Sequence, residues 1–167
     1  MSCHRTVTAW TTMIRLHLPH LSKPQATVLA LWSVGMVRAR SCALTAVATF
    51  LAVWLRRQEQ TVRQQLREFC YEAEAKRGDQ RQALCVERCF VPLLAWVLSR
   101  WQGTQLALAL EATTLGLRFT VLAISVVSRG GAIPVAWTIL PAHTQHAWRR
   151  EWLRLLRQLR PAIPRDW

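Results

Sequence analysis

The spacing of apolar residues changes near Gly103. Upstream they recur at helical intervals, and downstream β-branched and alternating stretches take over. The first half therefore predicts several helices. Pro19 and Pro24 bracket a loop, LPHLSKPQ, in which Ser22 can cap a helix covering Gln25 to Met36, with a break around Gly35–Ser41. Thr45 is placed to cap a helix through AVATFLAVWL. After a short Arg-rich interruption a second helix covers Gln60 to Phe69. There Val62, Leu66 and Phe69 fall at i, i+4 and i+7 as one apolar stripe, and Arg63, Gln64 and Arg67 show on the opposite face. YEAEAKRGDQRQ reads as a helix end and an exposed link. VERCFVPLLAWVLSRW reads as a buried helix carrying Trp96 and Trp101.

From Gln105 the period becomes two. In QLALALEA, Leu106, Leu108 and Leu110 point one way and Ala107, Ala109 and Glu111 the other. LRFTVLAISVV predicts a second strand, SRGG a turn at Gly130–Gly131, and AIPVAWTIL a third strand. Pro134 cannot donate to a sheet ladder, so the third strand belongs at an edge. Trp148, Trp152, Leu155 and Leu159 mark an amphipathic helix, capped by Thr144 and stopped by Pro161. The expected fold class is α+β. A helical, helix-turn-helix-like basic region spans 1–102. The first three antiparallel strands and first helix of an incomplete ribonuclease-H-like domain span 103–167.

Charge changes the picture more than length does. The 167 residues carry 22 Lys and Arg against 9 Asp and Glu, a formal +13, and all the cations except Lys23 and Lys76 are Arg. Residues 1–67 hold nine cations and a single acid, Glu59. Such a chain meets a polyanion: DNA, RNA or an anionic membrane face. The uneven distribution favours nucleic acid over a merely solvated Arg-rich surface. Cys3, Cys42, Cys70, Cys85 and Cys89 form no CxxC pair and no zinc-finger spacing with His, which points to reduced, mostly buried thiols and no zinc site. Ser41 to Leu55 is free of charge, but its 15 residues fall short of the ~20 a membrane span needs. A buried core helix is the expectation there, in a chain without a secretory signal.

The two helices around Arg56 and Arg57, the second presenting Arg63, Gln64 and Arg67, match a helix-turn-helix in outline. Arg and Gln side chains make bidentate contacts to guanine and adenine edges. A plain helical hairpin fits the same pattern, and both readings stay open on pattern alone.

Residues 106–142, LALALEATTLGLRFTVLAISVVSRGGAIPVAWTILPA, resemble the first catalytic segment of bacterial DDE-type insertion-sequence transposases. The upstream LSKPQATVLALWSVGMVRARS and TVRQQLREF resemble the N-terminal region of the same group. In that family the first strand ends in Asp within a motif of the form LALDAT. That Asp joins a second Asp and a Glu to hold two divalent ions, Mg or Mn, which activate the attacking oxygen and stabilise the leaving one. Glu111, in LALEATT, stands at the Asp position and is one methylene longer. Without the resemblance, Glu111 would be read as a solvated carboxylate or a partner of Arg118 or Arg129.

The resemblance implies a truncated transposase fragment. It would bind DNA at element ends through Arg56, Arg57, Arg63, Gln64 and Arg67, with cleavage and strand transfer lost and no metal held in this chain. It also implies self-association along an exposed strand edge and a cytoplasmic, nucleoid-associated location without membrane contact. The competing expectations are a repressor-like DNA-binding remnant, one piece of a split enzyme, and a small membrane-associated protein using residues 41–55.

Overall fold

The computed structural model describes residues 3–76, 82–142 and 148–164. They form α1 (Cys3–His17), α2 (Lys23–Ala39), α3 (Leu44–Leu55), α4 (Glu59–Phe69), a 3-10 turn (Ala73–Ala75) and α5 (Glu87–Leu98). Strands β1 (Leu108–Leu115), β2 (Phe119–Ser128) and β3 (Gly131–Pro141) follow, then α6 (Trp148–Leu159) and a 3-10 turn (Arg160–Ala162). The class is α+β, as expected. The chain divides into two compact units between Cys85 and Val86, ahead of the composition change near Gly103. The reason is α5: its Phe90 and Leu94 share a buried cluster with sheet residues Ile124, Val126, Val135 and Ala136.

In the first unit, Ser22 starts α2 as the sequence suggests. Its hydroxyl accepts from the Gln25 N–H while the Gln25 side chain accepts from the Ser22 N–H, a reciprocal cap with Pro24 in the first turn. The helix runs on through Gly35 to Ala39 and ends at Arg40, held in the left-handed region (φ 50°, ψ 38°). Gly35 is buried, and a Cβ built there would lie 2.7 Å from Val47 Cγ1. The missing side chain is what admits α3 so closely.

Thr45 does not cap α3. The helix starts one residue earlier, at Leu44, with Ala43 at the cap position and no side-chain cap. Thr45 sits inside the first turn, its carbonyl accepting from Thr49 Oγ1. The uncharged run is a core helix on one face: Val47, Ala48, Leu51 and Ala52 are buried with Leu31, Val62 and Leu66, while Val53 is 78% exposed. No single helix among the described residues is long and apolar enough to cross a membrane; α2 and α3 pass only as a pair, bent by 98° at their break.

In the second unit the sheet order is β1-β2-β3, antiparallel throughout, so β3 lies at an edge as Pro134 requires. Leu108, Leu110 and Ala112 stand opposite Val126, Ile124 and Leu122, and those three β2 residues are fully buried. The Arg129–Gly130 turn joins β2 to β3, with Gly130 at φ 85°. Where Ser125 faces Pro134 and Ile124 faces Ala136, β3 carries an extra residue, Val135. Leu155 and Leu159 of α6 complete the core, and Phe90 packs on Trp137 with centroids 5.1 Å apart. Arg154 of α6 ties to Glu87 of α5 at 2.6 Å and to Glu151 at 2.7 Å. Trp101 lies beyond the end of α5, its indole donating to the Gln105 carbonyl. Pro161 falls in the closing 3-10 turn, and the cap expected of Thr144 lies outside the described residues.

Candidate nucleic-acid interface

The core of the first unit fixes which face of α4 reaches solvent. Val62 and Leu66 are buried at 1%, and Phe69 sets its ring edge-on to Trp32 with centroids 6.2 Å apart. These three anchors match the sequence stripe. Burying side chains of this size stabilises by about 1.5–3 kcal/mol each, enough to fix the helix's rotation. Gln60, Arg63, Gln64 and Arg67 then fall on the opposite side, as 3.6 residues per turn dictates. Gln60 and Arg67 are exposed; Arg63 and Gln64 are half-buried.

Two of these polar groups are unequal in what they offer. The Gln64 amide donates to Glu68 Oε1 at 2.8 Å, so one of its two N–H donors is already engaged. Arg63 Nε is buried without a hydrogen-bond partner. In the link before α4, Arg56 takes the left-handed conformation (φ 54°, ψ 48°) that closes α3, and both Arg56 and Arg57 are exposed. Arg57 Nη1 donates to Gln65 Oε1 at 3.0 Å, which leans its guanidinium along α4. Gln58 makes no side-chain cap, so the first-turn N–H groups of α4 lack that partner.

A second polar feature of this unit was missed in the sequence. His4, Thr8, Thr11, Thr12 and Arg15 recur along one side of α1 and line a groove of about 690 Å³ with Lys23 and Thr27 of α2, Leu55 of α3 and Arg57. The i, i+4, i+8, i+11 recurrence of His4, Thr8, Thr12 and Arg15 is the signal that could have found it. Among the described residues no carboxylate lines it.

Glu111 sits in β1 opposite Ala123, exposed, on the face away from buried Leu122 and Ile124. Neither anticipated arginine pairs with it: Arg118 instead stands over the Phe119 ring at 5.7 Å, and neither forms an ion pair with Glu111. Among the described residues no group of three or more His, Cys, Asp and Glu side chains comes together to hold a metal ion. These residues therefore do not fit a two-metal centre, and no cleavage step follows from them.

Comparison with protein-family models, curated proteins and solved structures finds no match to this chain. The chemistry open to it is that of its own side chains. In the first unit these are donors and cations on an exposed helix face and its preceding link. In the second, Glu111 is an exposed carboxylate on β1, and Arg149, Arg150 and Arg157 are exposed on α6.

Proposed function

We propose that this chain is a DNA-binding polypeptide of the DDE-transposase type, in which α3 and α4 act as a helix-turn-helix and α4 enters the major groove. The observation that carries the reading is the outward face of α4, with Gln60, Arg63, Gln64 and Arg67 held opposite buried Val62 and Leu66. Arg67 and Gln60 are free to reach base edges, where Arg reads guanine and Gln reads adenine. Arg56 and Arg57 flank the helix start, where a backbone phosphate would also meet uncapped N–H groups. The resemblance of residues 106–142 to transposases supplies the class of DNA, the terminal repeats of a mobile element. Glu111 is a degenerate remnant of a metal ligand in this reading, and binding without cleavage is the activity proposed.

Selection of bound duplexes from a random-sequence pool, followed by sequencing, tests this directly. The expected result is an enriched motif that Arg67→Gln relaxes at one position, at a cost of about 1–3 kcal/mol for the preferred base. Recovery of unenriched sequence by the native chain, unchanged by Arg67→Gln, would remove α4 as a reading helix.

A further inference from the structure

The groove beside α1 has a composition that the α4 reading does not use. Its wall carries His4, Arg15, Lys23 and Arg57, with hydroxyls from Thr8, Thr12 and Thr27 between them and, among the described residues, no carboxylate. Arg15, Lys23 and Arg57 are exposed and have no ion-pair partner among the described residues. Thr11 lines the same groove and is 9% exposed, and its Oγ1 is buried with no hydrogen-bond partner. A buried hydroxyl without a partner is costly, by about 1–3 kcal/mol, and rare in folded chains. The Thr12 and Thr27 hydroxyls donate to carbonyls of their own helices and Thr8 pairs with His4. Positive charge without counter-charge, beside the unanswered Thr11 hydroxyl, is therefore what describes a site for an anion.

The dimensions favour an extended anion over a single small ion. His4 and Arg15 lie eleven residues apart on one helix face, which spans roughly 16 Å at 1.5 Å per residue. Successive phosphates on one DNA strand advance by about 3.4 Å along the duplex axis and lie farther apart along the winding backbone itself, so the groove spans a few of them and exceeds a single small ion. Arg57 belongs both to this wall and to the link that precedes α4. A backbone lying in the groove would thus continue toward the helix proposed to read bases.

We infer that the α1–α2 groove is a phosphate-backbone track for duplex DNA, in which Arg15, Lys23 and Arg57 contact successive phosphates and orient α4. The inference rests on the DNA-binding reading but concerns different residues. Phosphate contacts position a protein without reading sequence, so this track contributes affinity and salt dependence and leaves base preference to α4.

The test uses the full chain and a fluorescent 20-base-pair duplex, with affinity measured by anisotropy across a salt series. The double variant Arg15→Gln/Lys23→Gln is compared with Arg5→Gln/Arg38→Gln, which removes the same charge from exposed sites outside the groove. Circular dichroism verifies that each variant is folded. Loss of two phosphate contacts makes the log–log salt slope shallower by about 1.8, or roughly tenfold less affinity lost between 50 and 200 mM salt. The matched control is expected to keep the native slope. Equal effects from both pairs would show that net charge alone acts and would overturn the track. So would an unchanged slope in the groove variant. The same proteins are titrated with phosphatidylglycerol vesicles: if the groove variant loses only vesicle binding, the groove faces a membrane surface instead. Loss of motif preference in Arg67→Gln with an intact salt slope concerns α4 alone, and native protein that binds no duplex defeats both readings.

Discussion

Gly35→Ala sets two effects of known size against each other. Alanine is the better helix former by about 1 kcal/mol, so in a solvated helix the change would stabilise. Here the new Cβ would stand 2.7 Å from Val47 Cγ1 and 3.1 Å from both Cγ and Cδ1 of Leu51. Carbon atoms in contact prefer 3.5–4.0 Å, so about an ångström of overlap must be removed. Val47 cannot rotate away, because a β-branched residue in a helix has one preferred χ1 well, and Leu51 is itself fully buried. Relief therefore requires α3 to shift against α2, and overpacking of this kind costs about 1–3 kcal/mol. Steric crowding outweighs helix propensity: Gly35→Ala should destabilise by up to about 2 kcal/mol. Urea unfolding of the full chain followed at 222 nm reads this as a lower midpoint at unchanged slope. Val47→Ala in the same background removes the obstructing methyl, so the double-mutant cycle should show a coupling above about 0.5 kcal/mol. If Gly35→Ala raised stability by its full propensity gain, or the cycle closed with no coupling, the close approach of α2 and α3 would not be what Gly35 provides.

Other changes test other parts of the structure. Leu66→Ala, at the centre of the α4 anchor, should cost about 2–5 kcal/mol in the same unfolding assay and abolish DNA binding through loss of the helix's fixed rotation. Thr11→Val removes an unpartnered buried hydroxyl; calorimetry should show unchanged or increased stability, and a loss above about 1 kcal/mol would mean the hydroxyl is satisfied in solution. Arg40→Gly relieves a left-handed conformation that costs a non-glycine residue about 1–2 kcal/mol, so the melting temperature should rise by a few degrees; a fall would show that the Arg40 side chain holds the break. Glu87→Gln cuts an ion pair whose glutamate is half exposed, and a stability change within about 1 kcal/mol is expected by chemical denaturation.

The elements that the sequence predicts best are those in which period and punctuation agree. Ser22 announces the start of α2, although Pro24, read as closing the preceding loop, lies inside its first turn, and Val62, Leu66 and Phe69 give both the existence and the rotation of α4. Pro134 identifies β3 as an edge strand before any pairing is known. Thr45 misleads because a residue with capping chemistry can equally sit in a first helical turn, where its backbone carbonyl accepts from Thr49 Oγ1. The reach of α2 past Gly35 is hidden for a different reason. Glycine lowers local helix propensity, but burial against Val47 and Leu51 outweighs that preference, and propensity alone does not see the partner helix.

The site is legible only in part. The outward residues of α4 follow from its apolar stripe, whereas the Gln64–Glu68 bond depends on rotamers that no pattern specifies. The groove combines three separate stretches, around His4–Arg15, Lys23–Thr27 and Arg57, and their meeting is a tertiary fact. The boundary between the units falls before α5 for a similar reason. A helix is assigned by period, but the partner it packs on is chosen by the sheet, through Ile124, Val126 and Val135.

The extra residue in β3 bears on how this polypeptide is made. A β-hairpin closes in about 1–10 μs, whereas synthesis proceeds at about 5–20 residues per second. Once β3 has left the ribosome, α6 follows only about a second or more later, and until then Ile124 and Val126 await Leu155 and Leu159. A slip of one position in that interval would turn the apolar set outward. A slip of two keeps each side chain on its face but moves the extra residue, Val135, away from its place opposite the Ile124–Ser125 step. A bulge tied to one step of β2 marks the native register along the hairpin, which narrows the pairings open to the nascent strands before their covering helix arrives.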